Sequence, residues 1–223
     1  MAHTRHLLIL LTLAFASPAQ AELVLGISSD NGASFATDFD VQVGESLNFE
    51  IYLQQSGAET ILNTEGLVSW GFDLTRTSTS VGTIASASAN PVFDFANHNV
   101  TTPTGFEWEY ADSSGFGVTG NNILLGSFQY QAIAEGGSVF TLEDRLIGTT
   151  PGDANWFTPV FTELDQQLFA GANSSYQFNV NSTTAVPEPS SLALLACVAG
   201  VAVLRRRRRK CVKIDSPPGT EVG

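Results

Sequence analysis

Bases, thiols and imidazoles are scarce wherever a folded domain can lie in this chain. Of 223 residues ten are Lys or Arg, yet between Glu22 and Val186 only Arg76 and Arg145 occur, with no Lys. The same stretch holds 19 Asp and Glu, a net charge of −17. A surface of that sign repels phosphate backbones, which excludes nucleic acid as a partner. The two cysteines, Cys197 and Cys211, lie near the C-terminus. The central region therefore has no disulfide, no zinc–thiolate site and no cysteine nucleophile. His3 and His6 sit at the extreme N-terminus, leaving His98 as the one central imidazole. A multi-histidine metal site is thus excluded, and a Ser-His-Asp triad would have to use His98. No Gly-x-Ser-x-Gly elbow and no glycine-rich phosphate loop is present. Apolar residues, by contrast, make up 43% of the chain, with 15 Phe. That is too apolar for a disordered acidic tail, so the middle is expected to fold.

The two ends read as targeting segments. Arg5 precedes the apolar run Leu7 to Ala16, followed by Ser17-Pro18-Ala19-Gln20-Ala21. A basic start, a short apolar core and small residues at Ala19 and Ala21 predict a signal peptide over 1–21, cleaved to leave Glu22 first. At the other end, Val186-Pro187-Glu188-Pro189-Ser190-Ser191 leads into the apolar run Leu192 to Leu204. The basic cluster Arg205, Arg206, Arg207, Arg208 and Arg209 follows at once. Two prolines flanking one residue continue neither a helix nor a central strand, so the tripeptide is an extended boundary. From Ser190 to Leu204 the chain has no charge. As a helix that stretch spans ~22 Å, a short membrane crossing that snorkelling arginines lengthen. The basic cluster anchors its own end in the cytoplasm and leaves the preceding domain outside it. The predicted organisation is a signal peptide over 1–21, an extracytoplasmic domain over 22–181 and a linker over 182–191. A transmembrane helix over 192–204 and a basic cluster with a cytoplasmic tail over 205–223 complete it.

The middle alternates with period two. Leu47, Phe49, Ile51 and Leu53 share one face against Asn48, Glu50, Tyr52 and Gln54. The pattern recurs at Val68, Trp70, Phe72 and Leu74, and at Phe106, Trp108 and Tyr110 against Glu107 and Glu109. Three more sets follow: Leu124, Phe128, Tyr130 and Ala132; Phe140 and Leu142; Tyr176, Phe178 and Val180. One apolar and one polar face per segment, with Gly- and Asn-rich turns between, predict an all-β antiparallel sandwich, the jelly-roll type included. One short helix is expected, with Thr158 as cap, Pro159 in the first position and Val160, Phe161, Leu164 and Leu168 on one face.

The order Pro187-Glu188-Pro189, apolar run, Arg205 to Arg209 resembles the PEP-CTERM sorting signal of bacterial exported proteins. That resemblance implies processing by a membrane transpeptidase of the exosortase type, with the tripeptide as its recognition element. Such proteins usually stop soon after the arginines, whereas 13 residues, Cys211 to Gly223, follow Lys210 here. Val43-Gly44-Glu45-Ser46-Leu47 through Leu53 is similar to the opening of a cohesin-like sandwich. Val68 to Leu74, Leu124 to Ala132 and the turn Glu135-Gly136-Gly137 resemble later parts. Cohesin-like folds imply protein docking or carbohydrate association.

Candidate side chains for chemistry are few. Glu107 and Glu109 offer paired carboxylates, but glycosidase pairs face each other across a cleft from different elements. The alternation makes these two solvent-facing strand positions, and no catalytic residue is assigned. Trp70 and Trp108 fall on apolar strand faces and are expected in the core. Trp156, beside Asn155 and Phe157, is the candidate glycan contact. Asp30, Asp38, Asp40, Glu143, Asp144 and Asp153 could supply oxygen ligands to Ca²⁺, but no EF-hand spacing is present and a hydrated surface is the expected role. His98 stands among loop formers as an expected surface residue. Asn99, Asn173 and Asn181 begin glycosylation sequons that mean little in a bacterium. No cofactor or metal is expected. The expected partners are an exosortase and the cytoplasmic membrane, with extracellular polysaccharide a candidate. The expected role is a non-enzymatic surface or matrix protein, with a carbohydrate-binding module as the alternative and a secreted hydrolase behind it.

Overall fold

A computed structural model describes residues 22–57, 60–145, 155–169 and 175–184. The signal-peptide residues Ala19 and Ala21, the Pro187-Glu188-Pro189 tripeptide and the apolar run 192–204 lie outside the described residues. So do all five arginines of the basic cluster, Arg205, Arg206, Arg207, Arg208 and Arg209, as well as Asp153 and Asn173. The expected membrane helix and its basic anchor are therefore matters of sequence alone. Among the described residues no helix is long and apolar enough to cross a membrane.

Ten strands carry the fold: β1 Glu22–Ser28, β2 Asp38–Gln42, β3 Ser46–Ser56, β4 Ser69–Arg76, β5 Gly82–Ala89, β6 Phe95–Thr102, β7 Gly105–Ala111, β8 Asn122–Ala132, β9 Gly136–Asp144 and β10 Ser175–Thr183. They form a four-stranded sheet in the order β1-β3-β8-β5 and a six-stranded sheet in the order β2-β10-β9-β4-β7-β6. Every pairing is antiparallel except β10 with β2, which is parallel. Two single-turn helices, α1 Ile61–Thr64 and α2 Asp165–Leu168, sit in the connections. The expected all-β sandwich is therefore the fold, with one parallel pair within it.

The core lies where the apolar faces of the two sheets meet. Phe49, Ile51 and Leu53 of β3 are fully buried, as are Trp70 and Phe72 of β4, Phe106 of β7 and Phe140 of β9. Aromatic rings pack within and between the sheets: Phe49 stacks on Phe128 of its own sheet at 5.1 Å, and Phe106 of the other sheet meets Phe128 edge-on at 5.6 Å. Gly126 opens space for this crossing, because a Cβ there would lie 2.6 Å from the Trp108 ring.

Four sequence expectations change. In β8 the buried set is Ile123 and Leu125, then Phe128, Tyr130 and Ala132, while Leu124 is only half-buried. The phase slips at a bulge: Ile51 pairs with Gly126 and Tyr52 with Leu124, leaving Leu125 extra. The helix expected from Pro159 is instead a tight hairpin. Phe157 bridges Glu163, Thr158 N–H donates to Thr162 O, and the helical turn begins only at Asp165. The linker does not start at residue 182, because Ser182 and Thr183 complete β10 and Ser182 is buried. His98 lies in β6, beside a bulge at Asn97, rather than in a loop.

Candidate functional site

Outward-facing positions of the six-stranded sheet gather several charges at one place. Asp73 on β4 stands directly opposite Glu107 on β7, and Glu109 follows two residues along the same face. In β9, Thr141 and Glu143 point outward, and Arg145 continues that parity just past the strand end. Its guanidinium Nη1 donates to Asp73 Oδ1 and Glu107 Oε2, both at 3.2 Å, while Nε lies 3.6 Å from Glu109 Oε2. His98 Nε2 is 3.0 Å from the same Glu107 oxygen. One arginine thus holds three carboxylates that like-charge repulsion would otherwise separate.

The electrostatics follow from these contacts. Hydrogen bonds from His98 and Arg145 hold the Glu107 carboxyl below the usual range. Burial pushes Asp73 up, against the pull of Arg145. Two carboxylates with divergent affinities for protons are the pattern of an acid–base pair. Here each carboxylate is tied to the same cation, Arg145. Three clefts among the described residues are lined by other side chains, one by Leu25, Phe35 and Phe178, one by Asp40 and Glu45, and one by Asn48, Ser86 and Gln129. Sequence reasoning misses Asp73 and Arg145 as partners of this group. The legible signal is their period-two parity with neighbouring outward positions, but nothing local places β9 beside β4.

Trp156 requires correction as a glycan contact. It is fully buried, its indole Nε1–H donates to Gly71 O at 2.7 Å, and its ring lies 6.4 Å from Trp70. The reason is topological. β9 leaves β4 at the Asp144–Phe72 pair, and residues 155–157 take its place beside Ser69 to Gly71. Asp165 fixes this segment by accepting the Asn155 and Trp156 backbone N–H groups. Burial pushes the Asp165 carboxyl up, opposed by those two bonds. Trp70 and Trp108 are in the core, as their strand parity requires.

The remaining acidic candidates are dispersed. Among the described residues no three His, Cys, Asp or Glu side chains group as ligands for a metal ion. Asp38 accepts from Asn179 and Thr37, and Asp40 lines a shallow cleft with Glu45. Asp30 closes the turn after β1, accepting the Ser28 and Ser34 hydroxyls at 2.7 and 2.6 Å and the Ser34 N–H at 2.9 Å. Hydrogen bonds from Ser34, then Ser28, pull its carboxyl down to about 2. A carboxyl depressed in the folded state stabilises above its unfolded value, ~3.9, and that stability is lost as pH falls through the folded value. Urea midpoints measured from pH ~5 down to ~2 should therefore fall less steeply in Asp30→Asn than in the native chain. Parallel slopes would show that these hydrogen bonds do not hold the Asp30 carboxyl down in the folded state.

Comparison with known proteins decides the C-terminal end. Residues 185–209 match the family model of the PEP-CTERM protein-sorting motif. The chain carries a PEP-CTERM sorting motif. The match begins at the residue after Thr184, the last described residue of the sandwich. It takes in the Pro-Glu-Pro tripeptide, the apolar run and the whole basic cluster, with Arg206, Arg207 and Arg208 inside it and Arg209 as its last residue. No curated protein matches the chain in sequence. Among solved structures the chain is similar to the seventh ScaB type I cohesin from Pseudobacteroides cellulosolvens, at 12% identity and a TM-score of 0.45, covering 75% of this chain and 94% of that one. It is also similar to a cohesin module of a family 33 glycoside hydrolase from Clostridium perfringens, at 8% identity and a TM-score of 0.46, covering 74% and 98%. A type III cohesin of the cell-surface anchoring scaffoldin ScaE of Ruminococcus flavefaciens gives 12% identity and 0.45, covering 75% and 90%. These likenesses concern the fold alone.

Proposed function

We propose that this PEP-CTERM chain is an exported, non-enzymatic surface protein. Its β-sandwich is a binding module, and its C-terminus is a temporary membrane anchor processed by an exosortase. The observation that carries the reading is the motif match over 185–209, adjoining a sandwich that ends at Thr184. The charge pattern agrees with it: an acidic, Lys-free domain precedes the apolar run, and the arginines follow it, as a helix oriented with its basic end in the cytoplasm requires. A non-catalytic sandwich is supported by the sheet face, where Glu107 and Glu109 are committed to Arg145 and His98. Trp156, the named residue of the carbohydrate-binding alternative, lies in the core, and Glu107 and Glu109, the named residues of the hydrolase alternative, are ion-paired with Arg145.

The roles of the two parts of the signal separate experimentally. As a sequence, Pro-Glu-Pro favours an extended backbone and carries one carboxylate, which suits recognition in an enzyme groove and adds little to membrane affinity. Changing Pro187, Glu188 and Pro189 together to Ala should leave insertion intact and block maturation, so that full-length precursor accumulates in the membrane fraction. Processing of the triple variant at the native rate would reduce these residues to a linker.

A further inference from the structure

Two loops meet at the pole of the sandwich remote from Thr184. β10 runs from Ser175 beside Glu143 to Ser182 beside Gly136, while β4 runs back from Arg76 beside Phe140 to Phe72 beside Asp144. Ser69, at the far end of β4, pairs with both Ala111 and Phe157. The loops 112–118 and 157–163 therefore emerge at the end opposite to the one where the chain leaves the sandwich. They touch there, since a Cβ on Gly117 would lie 2.6 Å from Pro159 Cγ. Between them they carry the three most exposed large apolar side chains of the described residues: Phe116 at 84%, Phe161 at 83% and Val160 at 64%.

Phe161 is held in a strained conformation. Its N–H donates to Thr158 O at 2.9 Å, and the Thr162 N–H donates to Thr158 Oγ1 at 3.1 Å. This makes a three-residue hairpin loop whose last position is left-handed, a place ordinarily filled by glycine. Phe161 occupies it at φ 64°. A bulky residue there is an outlier, and a side chain so exposed gains little packing within the domain to offset the strain. Phe116 stands on an ordered support. Asp112 accepts the N–H groups of Ser114 and Gly117, and Asp94 accepts the N–H and hydroxyl of Ser113.

The rim of the patch is anionic. Glu65, which accepts the Thr162 hydroxyl, joins Asp94, Asp112 and Glu163 on or against these loops. Neither central arginine reaches it: Arg76 donates to the Gly82 and Pro103 carbonyls, and Arg145 to Asp73 and Glu107. Like charge disfavours a second copy, an anionic lipid surface or an anionic polysaccharide here. Phe and Val have no hydrogen-bonding tip, so they gain only by entering apolar pockets. We infer that this pole docks a protein partner whose surface offers apolar pockets ringed by Lys and Arg. The inference rests on the reading of the sandwich as a binding module and names the partner's chemistry.

The test uses the full chain in its producing cells, with photoreactive benzoylphenylalanine in place of Val160. The expected product is a cross-link to a protein of net positive charge. Its yield should fall ~10-fold or more on Phe116→Ser, as for loss of an anchor residue, and should fall as salt is raised. Phe161→Gly separates recognition from packing. It should raise the unfolding midpoint by ~2–4 °C through relief of backbone strain while lowering the cross-link yield. A cross-link only to a second copy, to lipid or to glycan overturns the inference. So does no cross-link, a yield indifferent to Phe116→Ser, or a midpoint that falls in Phe161→Gly. Precursor processing followed in the same cells reports separately on the sorting signal, so a lost cross-link with normal maturation overturns the docking pole alone.

Discussion

Trp156→Ala should destabilise the sandwich by about 3–5 kcal/mol, the range for truncating a large buried aromatic. Typical domains have a total stability of about 5–15 kcal/mol, so a large share would be lost. Two losses combine. The indole fills space against Trp70 and Phe169, and its N–H satisfies Gly71 O, a buried residue with a carbonyl left unpaired in the variant. Trp156→Phe keeps most of the volume and loses the hydrogen bond, so it should cost about 1–3 kcal/mol. Urea unfolding followed by circular dichroism measures both. A cost below ~1 kcal/mol for Trp156→Ala would return the ring to the surface and revive it as a ligand contact.

Arg145→Met should show its effect through pH. The native guanidinium lies against Asp73, Glu107 and Glu109. Without it three carboxylates repel one another across one sheet face, and the proton affinities of Asp73 and Glu107, which Arg145 lowers in the native chain, rise in the folded state. A raised carboxyl costs stability once pH exceeds the unfolded value, so the penalty is absent below pH ~4 and grows toward neutrality. Glu107 is 40% exposed on its side chain, so solvent screens much of the repulsion and the expected loss at neutral pH is about 1–2 kcal/mol. Added salt should shrink it further. Unfolding free energies of the native chain and the variant at acid and neutral pH supply the measurement. A difference independent of both pH and salt would mean that Arg145 matters only for the packing of its aliphatic stem.

Strands with one apolar and one polar face are legible because period-two alternation is a local property. The sets Phe49, Ile51, Leu53 and Trp70, Phe72, Leu74 are buried as their spacing requires. β8 misleads because Ile123, Leu124 and Leu125 are all apolar, and only pairing with β3 decides where the bulge falls. β5 and β6 leave weak signals: one alternates Ala and Ser, the other is largely exposed, and both are sheet edges with a single paired neighbour. Edge strands need less apolar surface, so the pattern that reveals central strands fades there.

What the chain's order alone determined was its addressing and its class. A tripeptide, an apolar run and five arginines are recognisable in any context because bilayer thickness and charge asymmetry act on contiguous residues. An all-β sandwich followed from repeated alternation for the same reason. The tertiary structure alone decided which side chains meet. Thr158-Pro159 carries one local signal that serves a helix start and a tight turn equally, and the bridge of Phe157 to Ser69, far away in sequence, selects the turn. That choice buries Trp156 and exposes Phe161, reversing what their neighbours in sequence implied. Arg145 finds Asp73 and Glu107 only because β9 and β7 flank β4. Such contacts depend on long-range register, which no window of sequence contains, and the candidate binding surfaces of this protein are made of them.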